Sequence, residues 1–330
     1  MRAYIIRRLL LMIPTIFLVT VLVFALVRFI PGDVIDLMVS EMAHGAGMET
    51  ELTAEHLRHV MGLDVPIHIQ YGRWVGIVPN QDGSFSGALQ GDLGMSLWRY
   101  ESVRWEIFKR LPVSFELGLF AIMIALSLAL PIGTYSAIRQ DTMGDYGGRT
   151  VAILAISIPS FWLGTMIMIY PSIYLGWSPP VKYIPLVADP LANLGQFIIP
   201  AVILGMYLSG TTMRMTRTMM LEVLRQDYIR TAWSKGLKER TVILRHALKN
   251  ALIPVVTMVG LLMPVVIGGS VVIETIFCLP GIGLLLIDAL RTRDYPVISG
   301  INLVLASGVL VINLLVDLTY AWLDPRIQYK

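Results

Sequence analysis

The amino-acid sequence predicts an all-α integral membrane protein with about six transmembrane helices. Of its 330 residues, 55% are hydrophobic and only 15% are charged, and the mean hydropathy is +0.69. A soluble globular domain carries roughly 25% charged residues. The apolar residues also gather into blocks of about 20, each long enough to cross a bilayer core of roughly 30 Å. The net charge of +3 is too small to indicate a nucleic-acid partner.

Six apolar blocks give the candidate spans. They cover approximately residues 9–30, 113–138, 151–170, 197–213, 254–273 and 298–322. Arg2, Arg7 and Arg8 precede the first block, an arrangement that also suits a signal peptide. The first apolar run is longer than a typical signal sequence, and no small-residue cleavage site follows it, so we interpret it as an uncleaved signal anchor.

The positive charges in the connections predict the orientation of the chain. Nine Lys or Arg residues lie within residues 214–249, whereas the connection after the third span has only Lys182. Arg291 and Arg293 lie after the fifth span, but acidic residues accompany them. Because Lys and Arg in short loops stay on the cytoplasmic side, both termini are predicted to be cytoplasmic.

This topology divides the chain into three parts. Residues 1–30 hold the first span, residues 31–112 form an extracytoplasmic insert, and residues 113–330 form the membrane core with a cytoplasmic loop at 214–253. The insert has eleven acidic and six basic residues, hence a net charge of −5. It includes a short predicted helix, "TAEHLRHVMG", with Thr53 as a possible cap, and a turn-rich tip, "NQDGSFSG". Since the insert is too small to bury much core alone, we expect it to rest on the spans or on a partner.

Several motifs are missing, and their absence bears on function. The chain has no "GxxxxGK[ST]" phosphate loop, no "HExxH" and no Gly-x-Ser-x-Gly elbow. No catalytic residues or cofactor are therefore predicted, and any ATP must be handled by another subunit. A membrane enzyme would need a set of catalytic residues, such as a nucleophile with a base or a metal site, and the sequence shows none. An ion-coupled secondary transporter would need a coupling carboxylate near the bilayer midplane. The spans of this sequence offer only Glu116, Glu274 and Asp317, which lie near span ends.

Histidine and cysteine leave little scope for a metal site. His56 and His59 are spaced i, i+3 on a predicted helix, so they are either solvated surface residues or part of a metal site that needs further ligands. No metal ligand set is predicted. Cys278 is the only cysteine, which excludes an internal disulfide. We interpret it as a small packing residue.

The last span carries a polar stripe. Asn302, Asn313 and Asp317 fall within about 60° of one another at 100° per residue on a helix. They could line a solute pathway, or they could form hydrogen bonds with a neighbouring helix at a subunit interface. The interface interpretation is favoured, because Asp317 lies close to the cytoplasmic end.

The cytoplasmic loop combines a glycine break at Gly236 with an amphipathic segment. Apolar residues from Val242 to Ala251 recur at helical spacing, while Lys238, Glu239 and Arg240 belong to a polar surface. The pattern fits a helix that docks on a partner protein. It also fits a helix that lies on anionic membrane lipids.

The chain resembles the transmembrane subunits of bacterial ABC importers for dipeptides, oligopeptides, nickel and opines. The stretches "MLEVLRQDYIRTAWSKGL" and "LRHALKNALIP" look like the family's cytoplasmic EAA loop, whose short coupling helix docks in a groove of the ATPase subunit. Further matches occur along nearly the whole chain: "GLDVPIHIQYGRW", "GDLGMSL", "RLPVSFELGL", "SIPSFWLG", "VVIETIFCLPGIG", "RDYP" and "NLLVDLTYAWLDPRI".

The resemblance implies a type I ABC importer permease fold and an ATPase-coupling role for residues of the loop. The EAA pattern falls on Arg230, Thr231 and Ala232, and its glycine falls on Gly236. Trp233 stands where members more often carry Arg, and Cys278 and Leu279 replace the usual Ser-Trp. The coupling residues are predicted to be Ala232, Gly236, Leu237, Lys238, Glu239, Arg240 and Leu248.

The resemblance also implies the partners, location and activity. It implies a second, homologous permease subunit, two ABC ATPase subunits that bind ATP and Mg, an extracytoplasmic solute-binding protein, and the lipids of a bacterial inner membrane that the chain crosses several times. The insert would then be a scoop-like element near the binding protein. Peptides are the first expectation for the solute, with nickel, opines, glutathione and oligosaccharides as alternatives.

Overall fold

The computed structural model describes residues 2–28, 35, 39, 55, 56, 58, 59, 62–176, 180, 182–268 and 271–323. Throughout these residues the regular structure is helical, and the β-type pairing within them is limited to an isolated bridge between Met95 and Ser102. The predicted cap Thr53 lies outside the described residues. The all-α prediction is confirmed.

The helices follow one another along the chain with short connections. They are α1 (Arg2–Arg28), α2 (Ile67–Val75), α3 (Val103–Ile138), α4 (Met143–Ser157), α5 (Ser160–Leu175), α6 (Pro190–Leu224), α7 (Asp227–Ser234), α8 (Glu239–Thr241), α9 (Lys249–Gly268), α10 (Val271–Ile276), α11 (Ile282–Thr292) and α12 (Tyr295–Leu323). A 3-10 turn covers Ala88–Gln90, and a π-helix, Val242–Leu248, joins α8 to α9.

The described helices provide the predicted number of spans. Five segments are long and apolar enough to cross a membrane: Ile6–Arg28, Val103–Ile138, Pro190–Leu224, Glu239–Gly260 and Tyr295–Val316. The pair of α4 and α5 gives a sixth if it counts as one span. This agrees with the prediction of about six spans.

The third predicted span is a bent pair of helices, whereas the sequence suggested one continuous helix over 151–170. The bend between α4 and α5 is 84°. Ile158 ends α4 with extended backbone angles of φ −83° and ψ 117°, and Pro159 follows as the N-cap of α5. A residue before proline is disfavoured in the α conformation, and proline has no N–H to continue the helix. The "IPS" sequence therefore produces the break.

The described chain forms two compact units. The core unit comprises residues 1–5, 111–284 and 308–330, and the insert unit comprises residues 6–110 and 285–307. The long helices α3 and α12 each contribute to both units.

Small residues allow close helix packing in the core unit. A Cβ atom on Gly205 of α6 would lie 2.8 Å from the carbonyl oxygen of Ala121 on α3. A Cβ atom on Gly210 would lie 2.6 Å from the carbonyl oxygen of Ala152 on α4. Both distances are too short for a side chain, so these glycines set the spacing of α6 from its neighbours, as is common in membrane bundles.

The insert unit combines part of the predicted insert with α1 and the start of α12. Phe24 of α1 packs against the Tyr71 ring of α2 at 5.4 Å between centroids. Ser96 donates a hydrogen bond to Asp294 at 2.5 Å, and the Trp98 indole donates to the carbonyl oxygen of Thr292 at 2.8 Å. Among these contacts, the one made by Phe24 joins the insert to the first span; whether the insert also rests on a partner stays a prediction.

Candidate functional site

The cytoplasmic loop turns at Gly236. Helix α7 ends in a Schellman motif: the N–H of Leu237 donates to the carbonyl oxygen of Ala232 at 3.4 Å, and the N–H of Gly236 donates to that of Trp233 at 2.9 Å. Gly236 has φ +73°, the left-handed conformation that this motif requires and that glycine adopts without strain. The sequence therefore predicted the glycine break correctly, and the structure explains it as a helix C-cap.

The apolar side of this loop is buried within the permease itself. Ile229 of α7, Val242 and Ala247 of the π-helix and Met220 of α6 are all fully buried. They share one apolar cluster with Ala137 at the end of α3. The loop is therefore anchored on α3 and α6, which differs from the expectation that its apolar face is open to a partner.

Two of the seven predicted coupling residues belong to this anchor. Ala232 is 6% exposed and lies in the cluster, and Leu248 is partly buried against it. Their side chains pack in the apolar cluster that fixes the loop to α3 and α6. The other five predicted residues are exposed: Gly236, Leu237, Lys238, Glu239 and Arg240.

Large apolar side chains accompany these exposed residues. Trp233 is 45% exposed and Leu244 is 49% exposed. We define the loop surface as the exposed residues Trp233, Lys235, Gly236, Leu237, Lys238, Glu239, Arg240 and Leu244. Exposed aromatic and aliphatic groups with a basic rim are typical of a protein interaction site. Sequence reasoning named Trp233 only as a departure from the family pattern, and it assigned no role to Leu244.

An open apolar groove of about 540 Å³ lies between α3 on one side and α8 with the π-helix on the other. Glu239, Arg240, Leu244 and Leu248 line one side of the groove. The opposite side consists of Leu130, Pro131, Thr134, Tyr135 and Ile138 of α3. A π-helix is rare and frequently marks a functional site. The structure thus brings three of the predicted coupling residues together beside α3.

A buried ion pair lies in the same unit. Asp145 of α4 is fully buried and accepts two hydrogen bonds from Arg217 of α6, at 2.7 Å from Nε and 2.6 Å from Nη2. Ser136 of α3 and the backbone N–H of Asp141 also donate to this carboxylate. The bidentate geometry ties three helices together. From the sequence, Arg217 was counted only as a positive charge of the cytoplasmic side.

The "VVIETIFCLPGIG" stretch forms a hairpin around Glu274. This buried carboxylate accepts a hydrogen bond from Ser114 at 2.8 Å and from the N–H of Gly283 at 2.7 Å, at the start of α11. A Cβ atom on Gly281 would overlap the Glu274 carboxylate, so glycine is required there. Cys278 is exposed with φ +51°. Its interpretation as a packing residue is therefore wrong, because the tight turn points it away from the core.

The structure describes the side chains of two of the three residues in the predicted polar stripe of α12. Asn302 is half-buried, and its side-chain amide donates to the carbonyl oxygen of Ile298 in its own helix at 2.8 Å. Asn313 is exposed. The side chain of Asp317 lies outside the described residues. A pathway or interface role for the three residues stays a prediction.

The histidine pair lies on the surface. His56 and His59 are both exposed. His59 Nδ1 lies 2.6 Å from Asp64 Oδ2. This hydrogen bond, with the charges of His59 and Arg73, holds the pKa of Asp64 below its usual value. Within the described ranges, no cluster of three or more His, Cys, Asp or Glu side chains could hold a metal ion.

The long apolar helices define a multi-pass membrane protein. Residues 129–329 match the model of the binding-protein-dependent transport system inner membrane component, and residues 1–118 match that of the N-terminal part of such membrane components. The chain belongs to this family of inner membrane permeases, and it is a non-catalytic, multi-pass membrane subunit.

Relatives match over the full chain. A putative peptide transport system permease protein of Brucella abortus is 40% identical, with 100% of both chains covered. The di/tripeptide transport system permease protein DppB of Pseudomonas aeruginosa is 39% identical, and the dipeptide transport system permease protein DppB of Escherichia coli is 36% identical, each with 100% of both chains covered.

A solved structure has the same fold in part. The MetNI methionine ABC transporter, in an inward-facing conformation, matches with a TM-score of 0.53 and 14% identity. The match covers 67% of this chain and 97% of the other. It supports the ABC importer permease fold.

Proposed function

We propose that the chain forms half of the translocation pathway of an ATP-driven importer of di- or oligopeptides. The observation that carries this proposal is the full-length similarity, at 36–40% identity, to permeases named for peptide transport. The chain would alternate between outward and inward access, with both termini in the cytoplasm.

The proposal includes partner subunits. The family description itself names dependence on a binding protein. We infer a second, homologous permease as the other half of the pathway, and two ATPase subunits that bind ATP and Mg²⁺. An extracytoplasmic binding protein would deliver the peptide.

The loop surface is the proposed contact with the ATPase. Trp233, Leu237 and Leu244 would enter an apolar groove of the ATPase, while Lys238, Glu239 and Arg240 would form ion pairs at its rim. Ala232 and Leu248 would not touch the ATPase; they would anchor the loop to the cluster that includes residues of α3 and α6. Movement of the ATPase pair would then reach the helices that line the pathway.

The test is ATP-driven uptake of a labelled tripeptide into proteoliposomes that hold the permease, its partner subunits and the binding protein. Leu244→Glu places a charge in the loop surface, so we expect uptake to fall at least about tenfold, since one buried unpaired charge costs several kcal/mol. Val187→Glu is the matched control, because Val187 is 95% exposed and lies outside the loop. We expect this control to keep normal uptake.

The outcomes separate the alternatives. Normal peptide-stimulated ATP turnover in Leu244→Glu would refute the contact. Uptake that needs an ion gradient and continues without ATP would identify a secondary transporter. Uptake of nickel or an oligosaccharide in place of peptides would overturn the solute assignment while leaving the coupling mechanism intact.

A further inference from the structure

The insert unit contains a cavity that the proposed ATPase contact does not involve. Its volume is about 540 Å³, within the range of roughly 300–1,000 Å³ that small-molecule sites occupy. Its walls come from the end of α1, from α2, from the segment between residues 80 and 97, and from the start of α12. By the predicted topology it opens on the extracytoplasmic side.

Arg28 is one of two arginines that line the cavity, and it is held in place by Gln70. The buried Gln70 side chain donates through Nε2 to the carbonyl oxygens of Val65 at 2.6 Å and Leu63 at 3.2 Å. Its remaining oxygen accepts a hydrogen bond from Arg28 Nη2. The Arg28 guanidinium also lies 5.0 Å from the centroid of the Phe24 ring. These contacts orient a cation at the cavity wall without neutralising it.

Arg73 is the second arginine, and one of its guanidinium donors has no acceptor among the described residues. Its Nε is buried and has no hydrogen-bond partner within the part of the chain that the structure describes. An unmet buried donor on a charged group destabilises the protein, because the donor has lost its hydrogen bonds to water. A ligand that accepts hydrogen bonds would remove this cost.

Three acidic residues of the insert unit, Asp64, Asp82 and Asp92, accept hydrogen bonds from groups other than the two arginines, although the charge of Arg73 also acts on Asp64. Asp64 bonds to His59. Asp82 accepts from the backbone N–H of Ser84 at 2.9 Å and from its hydroxyl at 2.7 Å. Asp92 accepts from Ser86 and from the N–H of Gly94. These carboxylates therefore shape the loop around the cavity, and Asp82 and Asp92 also give its lining negative charge.

We propose that this cavity binds a short peptide through its C-terminal carboxylate, which Arg28 and Arg73 would receive. Guanidinium groups match carboxylates in geometry and form strong, charge-assisted hydrogen bonds. Phe24, Trp74 and Tyr295 also line the cavity and supply apolar surface for a side chain of the peptide. The site deepens the proposed function, on which it rests: it would hold the peptide on the permease after release from the binding protein.

The experiment measures binding of one dipeptide and of its capped form. The permease, assembled with its partner permease and ATPases in nanodiscs without binding protein, is dialysed to equilibrium against alanyl-phenylalanine or its C-terminal amide. We expect saturable binding of the dipeptide and at least about tenfold weaker binding of the amide, since a hydrogen bond to a charged group contributes about 1.5–3 kcal/mol.

Variants locate the site. Arg73→Gln is expected to weaken dipeptide binding at least about tenfold, and Arg73→Lys to recover part of it by restoring the charge. Arg104→Gln is the matched control: Arg104 is an exposed arginine of the same unit that does not line the cavity. It should bind the dipeptide as the unmodified protein does. Copurification of the partner subunits with each variant confirms assembly.

Several results would overturn the proposal. Equal binding of the dipeptide and its amide, no saturable binding of either, or unchanged binding by Arg73→Gln would each exclude a carboxylate site here. If Arg73→Gln weakened only the association of the binding protein, the arginines would serve docking instead. ATP-driven uptake of the same dipeptide with binding protein present tests the proposed function separately. Uptake without binding in the cavity would overturn only this inference.

Discussion

The conformation of Gly236 gives the sharpest prediction about coupling. Gly236 has φ +73°, and no atom would lie within 4 Å of an added Cβ. Substitution by alanine therefore causes no clash, and its cost is the left-handed backbone strain of about 1–2 kcal/mol. At 1.4 kcal/mol per factor of ten, the equilibrium constant for forming the docking turn would fall about five- to thirtyfold.

The assay is peptide-stimulated ATP turnover by the complete transporter in proteoliposomes. We expect Gly236→Ala to lower stimulated turnover and Gly236→Val to lower it further, because a β-branched residue is still less tolerant of positive φ. Gly236→Asn should retain most of the activity, since asparagine visits this conformation more readily.

Gly176→Ala is the matched control, because it would introduce similar backbone strain at a glycine outside the cytoplasmic loop. Gly176 caps α5 with φ +62°, and a Cβ atom there would also meet no atom of the described residues within 4 Å. Gly176→Ala should therefore carry similar strain and leave the stimulated turnover unchanged. Equal turnover for Gly236→Ala, Gly236→Val and the unmodified protein would refute the idea that the left-handed turn orients the loop surface.

Two further predictions concern the core unit. Asp145→Asn should destabilise the fold by about 3–5 kcal/mol, because it leaves Arg217 without its buried counter-charge, and thermal unfolding in detergent measures this as a lower Tm. Adding Arg217→Met should restore part of the loss, whereas an unchanged Tm for Asp145→Asn would contradict a stabilising role. Gly281→Ala should sharply reduce the yield of folded protein, since its Cβ would overlap Glu274. Gly147→Ala, with open space around the glycine, should fold normally; equal yields of the two variants would refute the packing argument.

The sequence predicts the spans well because lipid imposes a simple rule. A helix that crosses the bilayer needs about 20 apolar residues, whatever it packs against. The rule does not describe bends, so the break between α4 and α5 was not predicted. Pro159 was visible in the sequence as a proline within the third predicted span, but the same sequence feature often leaves a membrane helix only kinked.

The candidate site is predictable only in part, because amphipathic spacing does not say which surface a helix buries. Val242 and Ala247 have the spacing of a docking face, and they pack inside the permease. The exposed Leu244 breaks that spacing because the segment is a π-helix. The pair of Asp145 and Arg217 is separated by 72 positions, so no local pattern could reveal it.

The buried side of the loop determines how a force on it would be transmitted. Met220, Ile229 and Val242 are fully buried, with 0% of their surface accessible to solvent, and they pack in one apolar cluster. Burial of each such side chain contributes about 1.5–3 kcal/mol, so separating α7 and the π-helix from α6 costs about 5–9 kcal/mol as an upper estimate. Tilting α6 as a unit breaks none of these contacts. A partner that displaced the loop surface would therefore move α6 and the end of α3 with it, and the ion pair between Arg217 of α6 and Asp145 of α4 would pass the same movement to α4.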